Sequence, residues 1–584
     1  MSATNVDPAT VEVIRRALVA AAEEMMINVK RAAYSPSIHE IKDVMVGLVD
    51  RDGRILACAP GLPMFLADLG EVVHDGFEVL GRDAFRPGDI YLSNDPFTIG
   101  THINNVATYL PIFDAEEELL GFAVARGHMV DMGGAAPGSR SLQLTEIYQE
   151  GLRLRQVRFY AEGEPVPEIH RIIGDNTRMP KAVLGDLRAQ VAACRTGERR
   201  LHDIVAKYGR EVFDAANHRI FDQGEAMARE AVAQMPDGDY RAEAFLDDDG
   251  VERGKHVVFP VRVIVEGERM TIDFSDFPPQ TLGSINTGRS GALAIARNAF
   301  KCLTTPHEAV NEGHFRPLDL VVPPGKVVSA EPPAACGWWA NTTSTVIDAI
   351  YRAVSPAMPE KVPAGHFGDI PMCLINGTDR KGERFVFFEP VPGGHGGRPH
   401  EDGVGATVAF HEGDTPDVPV EVQEATLPVL IEESAFDQDS AGAGKHRGGL
   451  GYKRVLRLLS ESASAQLNVD RHECAPWGLY GGGEGKPNRA FIQREAGGEW
   501  ELVLKRDGVK LSSDARIMIC GGGGGGWGDP LERDSDEVLA DVRAGYISTT
   551  AASELYGVAI EADAVDAEAT VALRRSRGGG EEGR

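Results

Sequence analysis

The chain has 584 residues, too many for one hydrophobic core, so we expect about two to four structural units. Its 42% hydrophobic and 25% charged residues, with a mean hydropathy of -0.20, are typical of a globular protein and exclude a disordered or fibrous chain. A formal net charge of -28 would repel a phosphate backbone, which argues against nucleic acid as a partner.

The sequence also argues against a membrane partner. No segment approaches the roughly 18 uninterrupted apolar residues that a spanning helix needs. Residues 1–13 have neither the basic stretch nor the apolar stretch of a secretion signal. We therefore expect a cytoplasmic protein.

The amino-terminal part alternates between helical and strand patterns. Residues 8–32 begin with a proline suited to a first helical turn and place apolar side chains at helical spacing, which predicts a long amphipathic helix. Residues 44–58 contain two short apolar runs around Asp52-Gly53 and predict a β-hairpin. Further strands are predicted at 90–92, 106–113 and 120–125.

Later segments repeat this change of pattern. Residues 181–235 have helical periodicity, and residues 421–520 contain short strands between glycine-rich connections, which indicates sandwich or barrel-like packing. Two closing helices are predicted at 537–546 and 549–558, followed by a frayed tail at 574–584. The resulting fold class is α+β and multidomain, with mixed sheets, flanking helices and a β-rich carboxyl-terminal region with glycine turns. The predicted regions are an α+β metal-site region at 1–235, an α/β region at 236–420, a β-rich region at 421–535, and a helical pair with tail at 536–584.

The 67 glycines are concentrated in runs at 392–403, 441–451, 478–488 and 520–530. Glycine loops can direct backbone N–H groups at a phosphate, but none of these runs matches a known nucleotide-binding motif. Tight turns with positive φ and close backbone packing are the favoured interpretation. If the protein uses ATP, we expect a partner to bind it.

The stretch 90–140 carries the most informative polar residues. It supplies His102 and His128 from two loops that flank a pair of predicted strands, with Asp43, Asn105 and Asp131 as possible oxygen ligands or orienting groups. Histidine nitrogen and carboxylate oxygen together suit Zn²⁺, Mn²⁺ or Fe²⁺. On spacing alone, the pattern also fits surface histidines or hydrogen-bonded core histidines, so this alternative stays open.

Many ordered segments of the chain resemble the hydantoinase B/oxoprolinase family, and the resemblance covers nearly the whole length. The segments include IKDVMVGLVDRDGRILAC, GDIYLSNDPFTIGTHINNV, GHMVDMGGAAPGS, TEIYQEGLRL, GDLRAQVAACRTG, PVEVQEATLPVLIEE and GGGGGGWGDPLERD.

The resemblance implies a divalent metal held by Asp43, His102, position 105 and His128. Position 105 is Asn where the family pattern has Asp, and Met129 stands where a second His is common. An amide can still offer a carbonyl oxygen, but it removes one negative charge and should weaken the binding of a divalent ion.

The resemblance also implies an activity and a partner. The chain is expected to be the metal-binding B-type subunit of an ATP-dependent amidohydrolase that opens a small-molecule substrate, a cyclic amide or imide. ATP would be bound by an A-type subunit with an actin-like fold, in a hetero-oligomer. Within the site, Asp131 would orient His128 or act as a base, and Arg126 would meet an anionic intermediate.

Two alternatives accompany this hypothesis. The chain would be a subunit of an acetone- or acetophenone-type carboxylase if product formation depended on bicarbonate. It would be a non-catalytic scaffold if Asn105 and Met129 marked a metal site that has decayed.

Overall fold

A computed structural model describes residues 6–66, 68–379, 381–413 and 415–578, which fold into two compact units. Unit 1 comprises Met1–Arg241, Pro260–Thr343 and His411–Val418, and unit 2 comprises Ala242–Phe259, Ser344–Phe410 and Pro419–Arg584. The predicted boundaries at 235, 420 and 535 stay a prediction. The α+β class with several sheets is confirmed.

The α-helices are α1 Pro8–Ala32, α2 Pro36–His39, α3 Asp68–Leu80, α4 Pro96–Ile99, α5 Ile147–Glu150, α6 Pro167–Asn176, α7 Pro180–Tyr208, α8 Arg210–Ala233, α9 Arg289–Thr304, α10 Trp339–Val354, α11 Val420–Thr426, α12 Ser535–Arg543, α13 Thr549–Tyr556 and α14 Ala567–Gly578. The strands are β1 Val44–Asp50, β2 Ile55–Cys58, β3 Ile90–Ser93, β4 Asn105–Phe113, β5 Leu119–His128, β6 Val157–Ala161, β7 Glu164–Pro165, β8 Gly238–Leu246, β9 Val257–Glu266, β10 Arg269–Asp273, β11 Leu318–Val321, β12 Met372–Thr378, β13 Arg384–Pro390, β14 Val429–Phe436, β15 Tyr452–Leu458, β16 Ser462–Asn468, β17 Arg489–Gln493, β18 Glu501–Leu502, β19 Lys505–Ser512, β20 Arg516–Cys520, β21 Ile560–Glu561 and β22 Ala564–Val565.

Unit 1 is built around a seven-stranded sheet in the order β2-β1-β5-β4-β3-β6-β7. Every residue of β1 is buried, and since successive side chains of a strand point in opposite directions, both faces of the sheet are covered there. In β1, Val44, Val46 and Leu48 join the core formed with α1, α7 and α8, whereas Met45 and Val49 join the core formed with α3. The predicted amino-terminal helix, the hairpin of β1 and β2, the three further strands and the helical stretch at 181–235 are all confirmed.

The two larger sheets of unit 2 have the orders β13-β12-β16-β19 and β14-β15-β20-β17-β18. Their apolar side chains share one core, as in a sandwich, with Ile375 and Leu467 from the first sheet and Leu456 and Ile517 from the second. The predicted β-rich region is confirmed, although β12 and β13 lie before residue 421.

The glycine runs of unit 2 pack their backbones directly against one another. The N–H groups of Gly524, Gly525 and Gly526 donate to carbonyl groups of three different segments, at Gly449, Gly365 and Gly483. Positive φ does not explain residues 521–526, because none of them has it. Close backbone packing, one of the two structural reasons predicted for these runs, is therefore the one that applies here.

The carboxyl-terminal elements are partly as predicted. Helices α12 and α13 correspond to the predicted pair. The frayed tail is wrong for residues 574–578, which belong to α14, where Arg574 donates to the carbonyl groups of Tyr556 and Arg533. Residues 579–584 lie outside the described residues. Among the described residues, every helix is too short or too polar to span a lipid bilayer.

Candidate metal centre

Sheet register in unit 1 brings together three residues that the sequence analysis singled out. Asn105 begins β4 and pairs with His128, the last residue of β5. On its other side β5 pairs with β1, where Gly127 is opposite Val44, so Asp43, the residue before β1, lies next to His128. The His128 N–H donates to the Asp43 carbonyl at 3.1 Å. Three neighbouring strand ends therefore position Asp43, Asn105 and His128.

The fourth predicted ligand, His102, comes from the turn between α4 and β4. Gly100 has a φ of 73°, and a Cβ at that position would lie 2.5 Å from the backbone nitrogen of Gly291. Thr101 also has a positive φ, of 61°. A residue with a side chain, such as Thr101, rarely adopts a positive φ, so other contacts must hold this turn in place.

Arg126 provides those contacts. The guanidinium is buried, donates to the carbonyl groups of Ile99 at 2.8 Å and Gly100 at 3.2 Å, and donates to the Thr101 hydroxyl. It also lies over the ring of Phe65, 4.8 Å from the centroid. Arg126 is thus placed to position the turn that carries His102, and its contact with an anionic intermediate stays a prediction.

The four side chains lie close together. Nδ1 of His128 is 3.2 Å from Oδ1 of Asn105 and 3.8 Å from Oδ2 of Asp43. The ring centroids of His102 and His128 are 5.0 Å apart. Donor atoms of one metal ion with bonds of about 2.1 Å lie roughly 3 to 3.5 Å apart, so these separations are near those of a shared coordination shell.

The electrostatics favour metal-binding protonation states for the histidines. Burial, with the charge of Arg140 as the second cause, lowers the pKa of both His102 and His128 well below the ordinary value. Both imidazoles are therefore neutral and have a nitrogen lone pair. Burial raises the pKa of Asp43, the carboxylate of Glu412 raises it further, and the guanidinium groups of Arg140 and Arg126 oppose the shift.

The donor set fits a divalent metal in its chemistry, because it combines two imidazoles, a carboxylate and an amide oxygen. Oδ1 of Asp43 is buried and has no hydrogen-bond partner among the described residues. In that part of the chain, however, no group of three or more His, Cys, Asp or Glu side chains is spaced to hold an ion as it stands. Both ring nitrogens of His102 lie 3.2 Å from nitrogen atoms of the Arg140 guanidinium.

Asp131 lies in a network of hydrogen-bond donors, and its predicted role in orienting His128 stays a prediction. Its two buried oxygens accept hydrogen bonds from the N–H groups of Gly133, Gly138 and Arg178, from the Thr177 hydroxyl and from the Arg178 guanidinium. Five donors thus tie this carboxylate to two loop segments. The geometry supports a role in organising the loop after His128, and the role as a base stays a prediction.

Sequence reasoning did not select three residues that the structure places at or near the site: Arg140, Glu150 and Glu412. Arg140 is 38 residues from His102 in the chain, and Glu412 returns to unit 1 from a distant segment. No local spacing links them to the histidines. The sequence signal for Arg140 and Glu150 is that they lie in the segments GGAAPGSRS and TEIYQEGLRL, which follow His128 closely in the chain.

Glu150 is fully buried at the end of α5. Its Oε1 accepts hydrogen bonds from the N–H groups of Cys336 at 2.6 Å and Gly337 at 2.7 Å. Burial raises the pKa of this carboxyl to about 8, against the lowering effect of these two N–H groups and of Arg140. The group is therefore protonated in the folded protein at neutral pH.

This pKa predicts a pH-dependent stability difference between the wild type and Glu150→Gln, in which the amide mimics the protonated carboxyl. Below pH 4.5 the carboxyl is protonated in both the folded and the unfolded chain. Between pH 4.5 and about 8 only the unfolded chain ionises, so the wild type loses about 1.4 kcal/mol of unfolding free energy per pH unit relative to the variant. Urea unfolding of both proteins from pH 5 to 9 measures this difference. The exposed Glu164→Gln is the control, and a pH-independent difference for Glu150→Gln would refute the assignment.

Comparisons with known proteins place the chain in a family. The family model described as Hydantoinase B/oxoprolinase matches residues 7–530. The chain belongs to this family. It is 31% identical to the B-type subunit of a putative D-/L-hydantoinase from Pseudomonas sp. (strain NS671), over 98% of both chains.

Two solved structures have the same fold as this chain. The crystal structure of ATP-dependent caprolactamase from Pseudomonas jessenii superposes with a TM-score of 0.92 and 27% identity, covering 98% of this chain and 100% of that one. A nucleotide-free acetone carboxylase structure superposes with a TM-score of 0.88 at 20% identity, covering 98% of this chain and 83% of that one. The second likeness concerns the fold alone.

Proposed function

We propose that the chain is the metal-binding B-type subunit of an ATP-dependent amidohydrolase that opens a cyclic amide or imide. In this proposal it works in a hetero-oligomer with a separate ATP-binding A-type subunit. The observation that carries the proposal is the cluster of Asp43, His102, Asn105 and His128 at the strand ends of unit 1. The names of the related hydantoinase and caprolactamase support the choice of a cyclic amide.

Ring opening requires help because an amide carbonyl is a weak electrophile. A phosphorylated carbonyl oxygen, made with ATP by the partner, would turn the amide into a reactive and anionic intermediate. A divalent metal held by Asp43, His102, Asn105 and His128 would supply Lewis-acid chemistry to this step. The positive charges of Arg126 and Arg140 lie beside the same cluster and would offset the negative charge of the intermediate.

In this proposal the base is Asp131, because His102 and His128 would use their lone pairs to hold the metal. His128 lies in contact with the Asn105 amide and near the Asp43 carboxylate, so its ring orientation is fixed. A buried neutral imidazole of this kind would offer a nitrogen lone pair to the metal. The same burial keeps bulk water away from a reactive phosphorylated intermediate.

The need for a partner is supported by the glycine-rich runs. Their sequences lack a known nucleotide-binding motif, and in unit 2 their N–H groups bond to the carbonyl groups of neighbouring glycine-rich segments. Backbone groups used in this way are not available to cradle a phosphate.

Reconstitution with the A-type subunit tests the proposal. The complex should open hydantoin, 5-oxoproline or a lactam only when ATP is present, with about one ADP formed per ring opened, and omission of bicarbonate should have no effect. Ring opening and ADP are measured together by chromatography. Product that requires bicarbonate and retains its labelled carbon would instead identify a carboxylase.

A scaffold role would give a different result. The double variant Asp43→Ala/His128→Ala would then turn over substrate as fast as the wild type in the reconstituted complex. Loss of turnover in this variant, with its fold retained, would exclude the scaffold role.

A further inference from the structure

Arg140 is a buried cation inside the proposed ligand cluster. Its Nε donates to Nδ1 of His102 at 3.2 Å, and its Nη2 lies 3.2 Å from Nε2 of the same ring. The guanidinium also lies 5.3 Å from the ring of Trp338. Only 7% of the residue is exposed, so these contacts are made in the protein interior.

These contacts conflict with metal binding at His102. A guanidinium has only hydrogen-bond donors and keeps its charge, so its approach occupies an imidazole lone pair. One imidazole nitrogen cannot accept a hydrogen bond and bind a metal with the same lone pair. The positive charge of Arg140 would also repel a divalent cation at the distance of one ring.

The charge balance of the cluster points the same way. With Asn at position 105, Asp43 is the only carboxylate among the four proposed ligands. Glu412 contributes a further negative charge nearby, whereas Arg140 and Arg126 contribute two positive charges. The two guanidinium groups match the two carboxylates in charge, so a divalent cation would add positive charge that is not balanced unless a guanidinium moves away.

Glu150 offers the guanidinium a second place. Oε1 of Glu150 is held by the N–H groups of Cys336 and Gly337, while the buried Oε2 has no hydrogen-bond partner among the described residues. Glu150 and Arg140 already interact electrostatically. A guanidinium that left His102 would have this oxygen as its acceptor, and its positive charge would favour ionisation of the carboxyl, which is protonated at neutral pH while Arg140 stays at His102.

We propose that Arg140 and a divalent cation are alternative partners of His102, and that Arg140 moves towards Glu150 when the metal binds. Arg140 thereby sets the metal affinity of the centre, and Glu150 is the positioning residue that receives it. This inference rests on the metal site of the proposed function.

Metal titration of the full chain tests the inference. The binding of Zn²⁺ and Mn²⁺ is measured by equilibrium dialysis and mass spectrometry for the wild type, Arg140→Met and Arg140→Gln. Both variants should bind metal at least about tenfold more tightly than the wild type, a scale typical of groups that contact a metal ligand. Circular dichroism verifies the fold, and the two variants differ in polarity, so a folding defect in one leaves the other as a test.

Arg153→Met is the matched control, because it removes the same charge from a guanidinium that lies over Phe97 and Tyr148. It should leave the affinity unchanged. Glu150→Gln should weaken metal binding in the wild type and have little effect in Arg140→Met, where no guanidinium needs an acceptor. A purely structural role of Glu150 would give the same loss in both backgrounds.

The outcomes separate the inference from the proposed function. Equal affinities of the wild type and both Arg140 variants would overturn the inference and leave the metal site intact. Absence of binding in all of these proteins would overturn the metal site itself, and with it the inference.

Discussion

Alanine at His102 should reduce ATP-coupled ring opening by the reconstituted complex by at least about 100-fold. Loss of a group that contacts a metal ligand costs 10- to 100-fold in affinity or activity, and loss of a ligand itself should cost no less. The side chain lies in the interior beside His128 and Arg140, so its removal leaves a small cavity at the centre and does not change the surface.

The control for this prediction is His400→Ala. The His400 side chain is 81% exposed and contacts Glu360 on the surface of unit 2, so its loss should not alter turnover. Steady-state rates of product formation are compared for the three proteins. A His102→Ala complex that turns over at the wild-type rate would remove His102 from the proposed centre.

Alanine at Gly524 should destabilise unit 2 by about 3 kcal/mol or more, since added volume in a well-packed interior costs 1 to 3 kcal/mol and a backbone neighbour cannot rotate away. An added Cβ would lie 1.9 Å from the carbonyl oxygen of His395 and 2.2 Å from its carbonyl carbon. The Gly524 N–H also donates to the Gly449 carbonyl at 2.9 Å, so a shift of this segment would break a backbone hydrogen bond.

Gly483→Ala is the matched control in the same glycine-rich region. Its added Cβ would lie 3.5 Å from the nearest backbone atoms, at Ala443, which is ordinary van der Waals contact. Scanning calorimetry should therefore detect a lower transition temperature for Gly524→Ala and almost none of this change for Gly483→Ala. Equal effects of the two substitutions would mean that close backbone packing does not explain the glycine runs.

The elements around the site could be predicted from sequence because their signals are local. The helix at 8–32 and the hairpin at 44–58 follow from side-chain periodicity and a turn dipeptide. The proximity of Asp43, Asn105 and His128 could not be read from spacing, because it depends on the register of three paired strands. The family resemblance, and not the local sequence pattern, identified these residues as one group.

Arg140 and Glu150 show the limit of sequence reasoning more clearly. Arg140 contacts His102, which lies 38 residues earlier in the chain. Glu150 accepts hydrogen bonds from the N–H groups of residues 336 and 337. Such contacts between distant segments leave no periodic trace in the chain. The glycine runs are a similar case, because their composition indicated close packing but not which segments would meet.

Metal analysis by mass spectrometry, on the chain co-purified with its A-type partner, decides whether the cluster of Asp43, His102, Asn105 and His128 is a metal centre. We expect a divalent metal in the wild type, at up to about one ion per chain, and its loss in His102→Ala. A wild-type complex that opens its substrate at full rate without a bound divalent metal would show that this cluster does not act through a metal.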